Sequence, residues 1–298
     1  MRIATNSVND SIVRQIQDLA TRQARLREQV GTGQRLSRPA DDAPAAGRVL
    51  NYQSTARRAA QYLRNADRAL ELSQASYATL TQVKTVADRA GELAILGQGA
   101  TSAEARAAYA AEVNQLLEQL LQLGNARLGS DHLFAGTALD APAFTAVRDA
   151  SGNITAAVYA GDAATLLIPL GDGASLAPLS PVATNEAVGD CLNRLVALRD
   201  ALAAGDTTAL GAAQAGLSAV EDTLVSALAE QGAVQLRIEV NRAQQQALAD
   251  RTGELIAGET GVDLPQAVVR LNEVMTAYEA ALGSSARVLR LSLLDYLP

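Results

Sequence analysis

The sequence predicts a mainly α-helical protein: a long antiparallel helical bundle or coiled coil formed by the N- and C-terminal segments, with a small inserted β-rich domain. Apolar residues recur at heptad spacing near both ends of the chain. The 298 residues are 48% hydrophobic but only 3% aromatic, which is typical of helices that pack closely side by side. Only residues 129–183 are rich in the glycine, proline and short apolar runs that are typical of β-hairpins.

The N-terminal segment has the seam of a coiled coil. Successive positions from Ile12 to Val30 are separated by 4, 3, 4, 3 and 4 residues, with Gln23 the one polar member. A helix with such a seam requires a helical partner.

The C-terminal segment repeats this alternation from Leu264 to Tyr296 without a break. The stretch LRLSLLDYL before the final proline is apolar over most of the helix circumference and must therefore be buried nearly all round. It forms either part of a multi-helix or multi-chain core, or a terminal helix inside its own domain. The predicted assembly interface consists of Ile12, Ile16, Leu19, Leu26, Val30, Val268, Leu271, Met275, Tyr278, Leu282, Leu289, Leu293, Leu294, Tyr296 and Leu297.

The segments between the two ends also show helical periodicity. Residues 53–96 and 103–123 are predicted to form a helical hairpin that turns at GQGATS. Residues 185–204 and 207–256 form two further helices separated by AAGD, and Gln231 and Gly232 are a candidate break in the second.

These elements predict three domains. Residues 1–45 with 257–298 form a terminal coiled-coil domain, and residues 46–128 with 184–256 form a helical bundle. Residues 129–183 form a small β-rich domain that projects from the tip of the bundle.

The stretch RLSRPADDAPAAGRV lies between the first two helices and contains two adjacent aspartates. Carboxylates can bind a hard cation, but nothing nearby in the sequence completes a ligand shell. An aspartate can also cap a helix N-terminus, and a proline fits the first helical turn. We therefore predict an inter-domain joint rather than a metal site. The joint residues are Arg38, Pro39, Asp41, Asp42 and Pro44.

The sequence contains little material for catalysis. His132 is the only histidine, and its neighbours Ser130 and Asp131 are too close in sequence to form a triad with it. Cys191 is the only cysteine and lies on an apolar stripe, which favours a core thiol. We therefore expect no enzymatic activity, no metal and no cofactor.

Charge and hydropathy exclude two further classes of partner. The net charge of −7 argues against nucleic acid, which requires a basic surface. No uncharged apolar run is long enough for membrane insertion, and the N-terminus has no apolar core of a cleaved signal peptide. We expect synthesis in the cytoplasm.

Four separated motifs resemble the flagellin superfamily, and within it the family of hook-filament junction proteins. These are the opening MRIATN, the stretch GTGQRLSRPADDAPAAGRVL, the run DHLFAGTALDAPAF and the ending LSLLDYL. Ordinary flagellins end differently. Ala43, where the family often has proline, and the extra Pro298 are the two departures from the pattern.

The resemblance implies a structural component of the bacterial flagellum, without catalysis, in which the terminal coiled-coil domain lines an inner tube and the β-rich domain is the outer domain. Such proteins form a ring of subunits between the first hook-associated protein and flagellin, and filament assembly and motility depend on them. It also implies export by the flagellar type III system without a cleaved signal peptide, an export chaperone that binds the C-terminal segment, and an extracellular location. The alternatives are a short flagellin that forms the filament itself, and a secreted enzyme or lectin-like binding module seated on the β insert.

Overall fold

The computed structural model describes residues 2–100 and 102–294, and the side chains of residues 10–100 and 102–287. The helices are α1 (Arg2–Thr32), α2 (Ala43–Gly99), α3 (Ala103–Gly124), α4 (Val182–Ala204), α5 (Thr207–Thr260) and α6 (Leu264–Leu294). The strands are β1 (Arg127–Leu128), β2 (Asp131–His132), β3 (Phe144–Arg148), β4 (Ile154–Tyr159), β5 (Ile168–Gly171) and β6 (Ala174–Leu176). They pair in sequence order as three two-stranded antiparallel sheets. The predicted fold class is confirmed.

The chain divides into two compact units. Residues 1–58 and 248–298 form the terminal unit, and residues 59–247 form the central unit. The terminal unit contains α1, α6, the start of α2 and the end of α5. The predicted division into three domains, with a separate outer β domain, stays a prediction.

Helices and strands of the central unit share one hydrophobic core. Phe134, Phe144 and Ile154 from the β-rich segment are buried in the same cluster as Leu117 of α3 and Leu192 of α4. Small sheets such as β3–β4 cannot form a stable core alone, so they are stabilised by packing on the helices. The β-rich segment therefore differs from an insert that only projects from the bundle.

Two helical glycines, which have no side chain, leave the space that the ring of Phe144 fills. A Cβ atom added to Gly124 would lie 2.7 Å from Cδ2 of Phe144, and one added to Gly189 would lie 3.2 Å from its Cε1. The ring also contacts Tyr159, with 5.4 Å between the ring centroids. On α4, the Asn193 side chain accepts from the backbone N–H of Ala157 and donates to its carbonyl. These contacts hold the β3–β4 hairpin against α3 and α4.

Helix α5 is continuous through Gln231 and Gly232, so the candidate break there was wrong. The Gln231 side chain is only 3% exposed. Its Nε2 donates to Oγ of Ser73, at 2.7 Å, and to the carbonyl of Pro178, at 2.6 Å. A polar residue that looked like a helix-ending signal is therefore a buried contact between α5, α2 and the segment before α4.

The predicted breaks elsewhere are confirmed. Ser102 caps α3 by accepting a hydrogen bond from the backbone N–H of Ala105. Helix α4 ends at Gly205, which has a φ of 68°, a left-handed conformation that glycine adopts without strain.

Candidate assembly surface and joint

Helices α1 and α6 pack against each other in the terminal unit. They run antiparallel, because the end of α1 and the start of α6 meet at a short β-bridge between Gln34 and Gly261. The five predicted seam residues of α1 are all half-buried: Ile12, Ile16, Leu19, Leu26 and Val30. No residue from 10 to 32, the part of α1 whose side chains are described, is fully buried. Helix α6 therefore covers the seam of α1 only in part.

Helix α6 has two apolar stripes. The more buried stripe again follows heptad spacing and consists of Ala267, Leu271, Val274, Tyr278, Ala281 and Ser285. Among the predicted interface residues, Leu271, Met275 and Tyr278 are half-buried. Val268 is 41% exposed and Leu282 is 42% exposed, so these two lie on a second stripe that the chain itself leaves open.

The rest of the predicted interface lies beyond what the structure describes. The side chains of Leu289, Leu293 and Leu294, and Tyr296 and Leu297 entirely, fall outside the described residues.

Asp41 and Asp42 both form local hydrogen bonds at the joint. Oδ1 of Asp42 accepts from the backbone N–H of Ala45, at 3.0 Å, and so caps α2. Asp41 accepts from the backbone N–H groups of Ser37 and Arg38, which closes the turn before α2. These bonds stabilise the charged carboxylates, and they lower the pKa of Asp41 mainly through Arg38 and that of Asp42 mainly through Ala45.

The other predicted joint residues are exposed and lie in the turn before α2 or in the first turn of α2. Pro44 is exposed in the first turn of α2, where its missing N–H is tolerated. Pro39 and Arg38 are exposed in the turn, and Arg38 contributes its backbone N–H rather than its charge to Asp41.

Sequence reasoning missed one residue of the joint, Glu259, whose contacts come from α2 and from the segment before it. Both of its carboxylate oxygens accept from the guanidinium of Arg48, at 2.7 and 2.8 Å. Arg35 donates to the backbone carbonyl of Glu259, at 2.8 Å, and to Oδ2 of Asp42, at 3.0 Å. Arg48 is the main cause of the lowered pKa of Glu259. Glu259 and Arg48 are 211 residues apart in sequence, so no local pattern could have revealed this contact.

The histidine and the cysteine that were considered for catalysis are both buried. His132 is buried, with Nδ1 3.1 Å from the carbonyl of Asn125. Cys191 is fully buried, and burial raises the pKa of its thiol to about 12. Within the described residues, no group of three or more His, Cys, Asp or Glu side chains could hold a metal ion. Within the same residues, no helix combines the length and apolar character needed to cross a membrane.

The N-terminal part of the chain is similar to a known protein family. Residues 3–138 match the bacterial flagellin N-terminal helical region. The match includes α1, the joint, α2, α3 and the first residues of the β-rich segment. The resemblance to the flagellin superfamily is therefore confirmed.

The chain is also similar to flagellar hook-associated protein 3 of Salmonella typhimurium. The two are 28% identical over 146 residues, which cover 48% of this chain and 46% of the relative. The match thus spans less than half of that relative's length.

Two solved structures share the fold. Flagellar hook associated protein-3 from Legionella pneumophila has a TM-score of 0.57 at 12% identity, with 70% of this chain and 98% of that chain covered. Bacillus cereus FlgL has a TM-score of 0.56 at 17% identity, with 72% and 99% covered.

Proposed function

We propose that this chain is a structural subunit of the bacterial flagellum, a hook-associated protein that forms a ring of subunits at the junction between hook and filament. The flagellin-type N-terminal region and the similarity to flagellar hook-associated protein 3 support this role. The proposed partners are further copies of the chain, the first hook-associated protein on one side and flagellin on the other. The proposed role involves no catalysis.

The open apolar stripe of α6 is the observation that carries the proposal. A pair of helices can bury all of its apolar residues only when each helix is apolar on one side. Here α1 is half-buried along its whole described seam, and α6 presents Leu264, Val268 and Leu282 at 46, 41 and 42% exposure. Additional helices are needed to cover this surface, and neighbouring subunits of a ring would supply them.

The proposal extends to how the chain reaches its place. A protein made in the cytoplasm and located at an extracellular junction has to be exported, and we assign this step to the flagellar type III system with a chaperone on the C-terminal segment. The apolar ending LRLSLLDYL fits such a chaperone contact before assembly and subunit contacts after it. Truncation after Arg290 should therefore abolish incorporation while the central unit stays folded.

The alternative of a binding module on the β insert requires a pocket with converging polar groups. The β-rich segment helps to line a cleft of about 320 Å³ beside α5. Its contribution there is Leu170, Ala174, Ser175 and Leu176, one hydroxyl among aliphatic groups. Helix α5 contributes Leu236 and Val240 together with the polar side chains of Arg237, Asn241 and Gln244, so the cleft as a whole is mixed and its lining does not decide against a polar ligand.

Gene deletion followed by complementation tests the proposal. The deletion strain should build hooks, release unpolymerised flagellin and lose motility, and the wild-type gene should restore filaments. Val268→Glu or Leu282→Glu should not restore them, because a charge would be buried between subunits. The matched control is Asn272→Glu, at an exposed polar position of the same helix, and it should restore motility.

Two outcomes would contradict the junction role. Normal filaments in the deletion strain would exclude it, and long polymers of the purified chain would favour the short-flagellin alternative. If Val268→Glu and Leu282→Glu complement as well as the control, the open stripe is not a subunit contact.

A further inference from the structure

The cleft of about 320 Å³ in the central unit lies between the β5–β6 hairpin and α5. All three residues of β6 line it on one side, and α5 lines the other side with residues from Leu236 to Gln244. This volume is at the lower end of the range for ligand sites, so it accommodates a few side chains but not a folded domain. An occupant of this cleft is therefore a short segment.

Strand β6 has an unpaired edge beside the cleft. Within the described residues it pairs only with β5, and Pro169 of β5 lies opposite Ser175. Proline has no N–H, so these two residues cannot exchange a pair of backbone hydrogen bonds. The N–H and the carbonyl of Ser175 must therefore point away from β5, and neither has a hydrogen-bond partner among the described residues. An extended segment that lies along β6 can bind both groups.

The amide of Asn241 faces this cleft from α5. Its Oδ1 is buried and accepts no hydrogen bond within the described part of the chain. Elsewhere in the protein, asparagine amides bind both backbone groups of a strand residue. Asn125 binds those of Phe144, both at 2.9 Å, and Asn193 binds those of Ala157, at 3.0 and 3.1 Å. Asn241 offers the same kind of contact to a strand that enters the cleft.

Apolar and charged groups of α5 define what such a segment carries. Leu236 and Val240 lie one turn apart and are 61 and 50% exposed. Arg237 is exposed and has no carboxylate partner among the described residues, whereas the nearby Arg242 pairs with Asp67 at 2.7 Å. No aspartate or glutamate is among the described residues that line the cleft. A complementary segment therefore combines apolar side chains with a carboxylate.

We propose that this cleft binds an extended peptide segment of a partner protein that carries an apolar side chain and a carboxylate at alternate positions. Alternate side chains of a strand lie on one face, so both groups face α5 together. The segment adds a strand to β6, covers Leu236 and Val240, and pairs its carboxylate with Arg237. This is an interaction surface of the central unit, and it does not depend on the proposed place of the chain in a flagellum.

Selection from a library of random short peptides displayed on phage tests the proposal, with the purified full-length chain as the target. The enriched sequences should share an apolar residue and a carboxylate at alternate positions. The most enriched peptide, synthesised with a fluorescent label, should bind the parent chain in a fluorescence anisotropy titration. Val240→Glu should raise its dissociation constant at least about tenfold, because the new carboxylate opposes that of the peptide and replaces an apolar contact.

The chain offers a matched control for that variant. Val225 is 49% exposed on the same helix and lies outside the cleft, so Val225→Glu should leave the dissociation constant unchanged. Arg237→Glu should weaken binding of the selected peptide and favour the same peptide with lysine in place of its carboxylate. All three positions are exposed, so the variants should keep the circular dichroism spectrum of the parent.

Several results would overturn the proposal. One is the absence of any enriched sequence, and another is an equal loss of binding in Val225→Glu and Val240→Glu. An Arg237→Glu variant that binds both peptides as the parent does would exclude the role of its charge. If sedimentation of the chain alone shows that Val240→Glu dissociates an oligomer, the occupant is a second copy rather than a partner protein. None of these readouts involves a filament, so they succeed or fail independently of the flagellar role.

Discussion

Replacement of Gln231 by leucine tests the structure of the central unit most sharply. The side chain is 3% exposed, and its amide donates to the Ser73 hydroxyl and the Pro178 carbonyl. Leucine has a similar volume but no donor. Both acceptors would remain buried without a hydrogen bond.

The cost follows from two opposing terms. An unsatisfied buried acceptor costs about 1–3 kcal/mol, so the two together cost about 4 kcal/mol. The buried leucine side chain contributes about 2 kcal/mol in return. We expect Gln231→Leu to lower the free energy of unfolding by about 2 kcal/mol, measured by urea denaturation followed by circular dichroism at 25 °C.

Two comparisons make this prediction specific. The double variant Gln231→Leu with Ser73→Ala removes one of the orphaned acceptors and should recover about 1 kcal/mol or more. Gln235→Leu, at a half-buried position with one long bond of 3.3 Å to the Ser73 carbonyl, should cost less than about 1 kcal/mol. If Gln231→Leu is as stable as the parent, the buried amide does not hold α2, α5 and the Pro178 segment together.

Three further predictions concern packing, acid and thiol reactivity. Gly124→Ala would force its Cβ against the Phe144 ring and should cost about 1–3 kcal/mol in urea denaturation, whereas Gly211→Ala, with open space around it, should not destabilise the fold. The pKa of Asp42 is lowered from 3.8, so the folded state binds its proton less readily than the unfolded state. The contribution of Asp42 to stability is then present above about pH 4 and is lost as the pH falls further. The free energy of unfolding of Asp42→Asn should therefore depend less on acid pH than that of the parent protein. An equal dependence in the parent and the variant would contradict the role of Asp42 as a cap. The Cys191 thiol should react with a disulfide reagent at pH 8 at least about a hundredfold faster in urea than in the native protein, and equal rates would show that it is not buried.

Local signals in the sequence explain why the helices could be predicted. Heptad spacing predicted α1 and α6, and turn-forming residues located the C-terminal ends of α2, α3 and α4 to within three residues, whereas the predicted start of α2 at residue 53 was wrong because the helix begins at Ala43. The aspartate-proline stretch predicted the cap of α2 because capping depends on residues only three positions apart. Each of these features is decided by neighbours in the chain.

The features that the sequence did not reveal depend on distant contacts. Glu259 resembles any acidic residue near a helix end until Arg48 is brought to it by the fold. On α6 the apolar residues form two stripes, and only packing decides that Val274 is half-buried while Val268 remains exposed. Gln231 was interpreted as a break because its partners on α2 and before α4 cannot be seen from α5 alone.

The proposed place of this chain is the junction between hook and filament. Immunogold electron microscopy of isolated hook-filament complexes, with an antibody against the chain and the deletion strain as the blank, tests it most directly. We predict gold particles confined to a narrow band where the hook meets the filament. Label distributed along the filament, or no label on the complexes, would contradict the junction role.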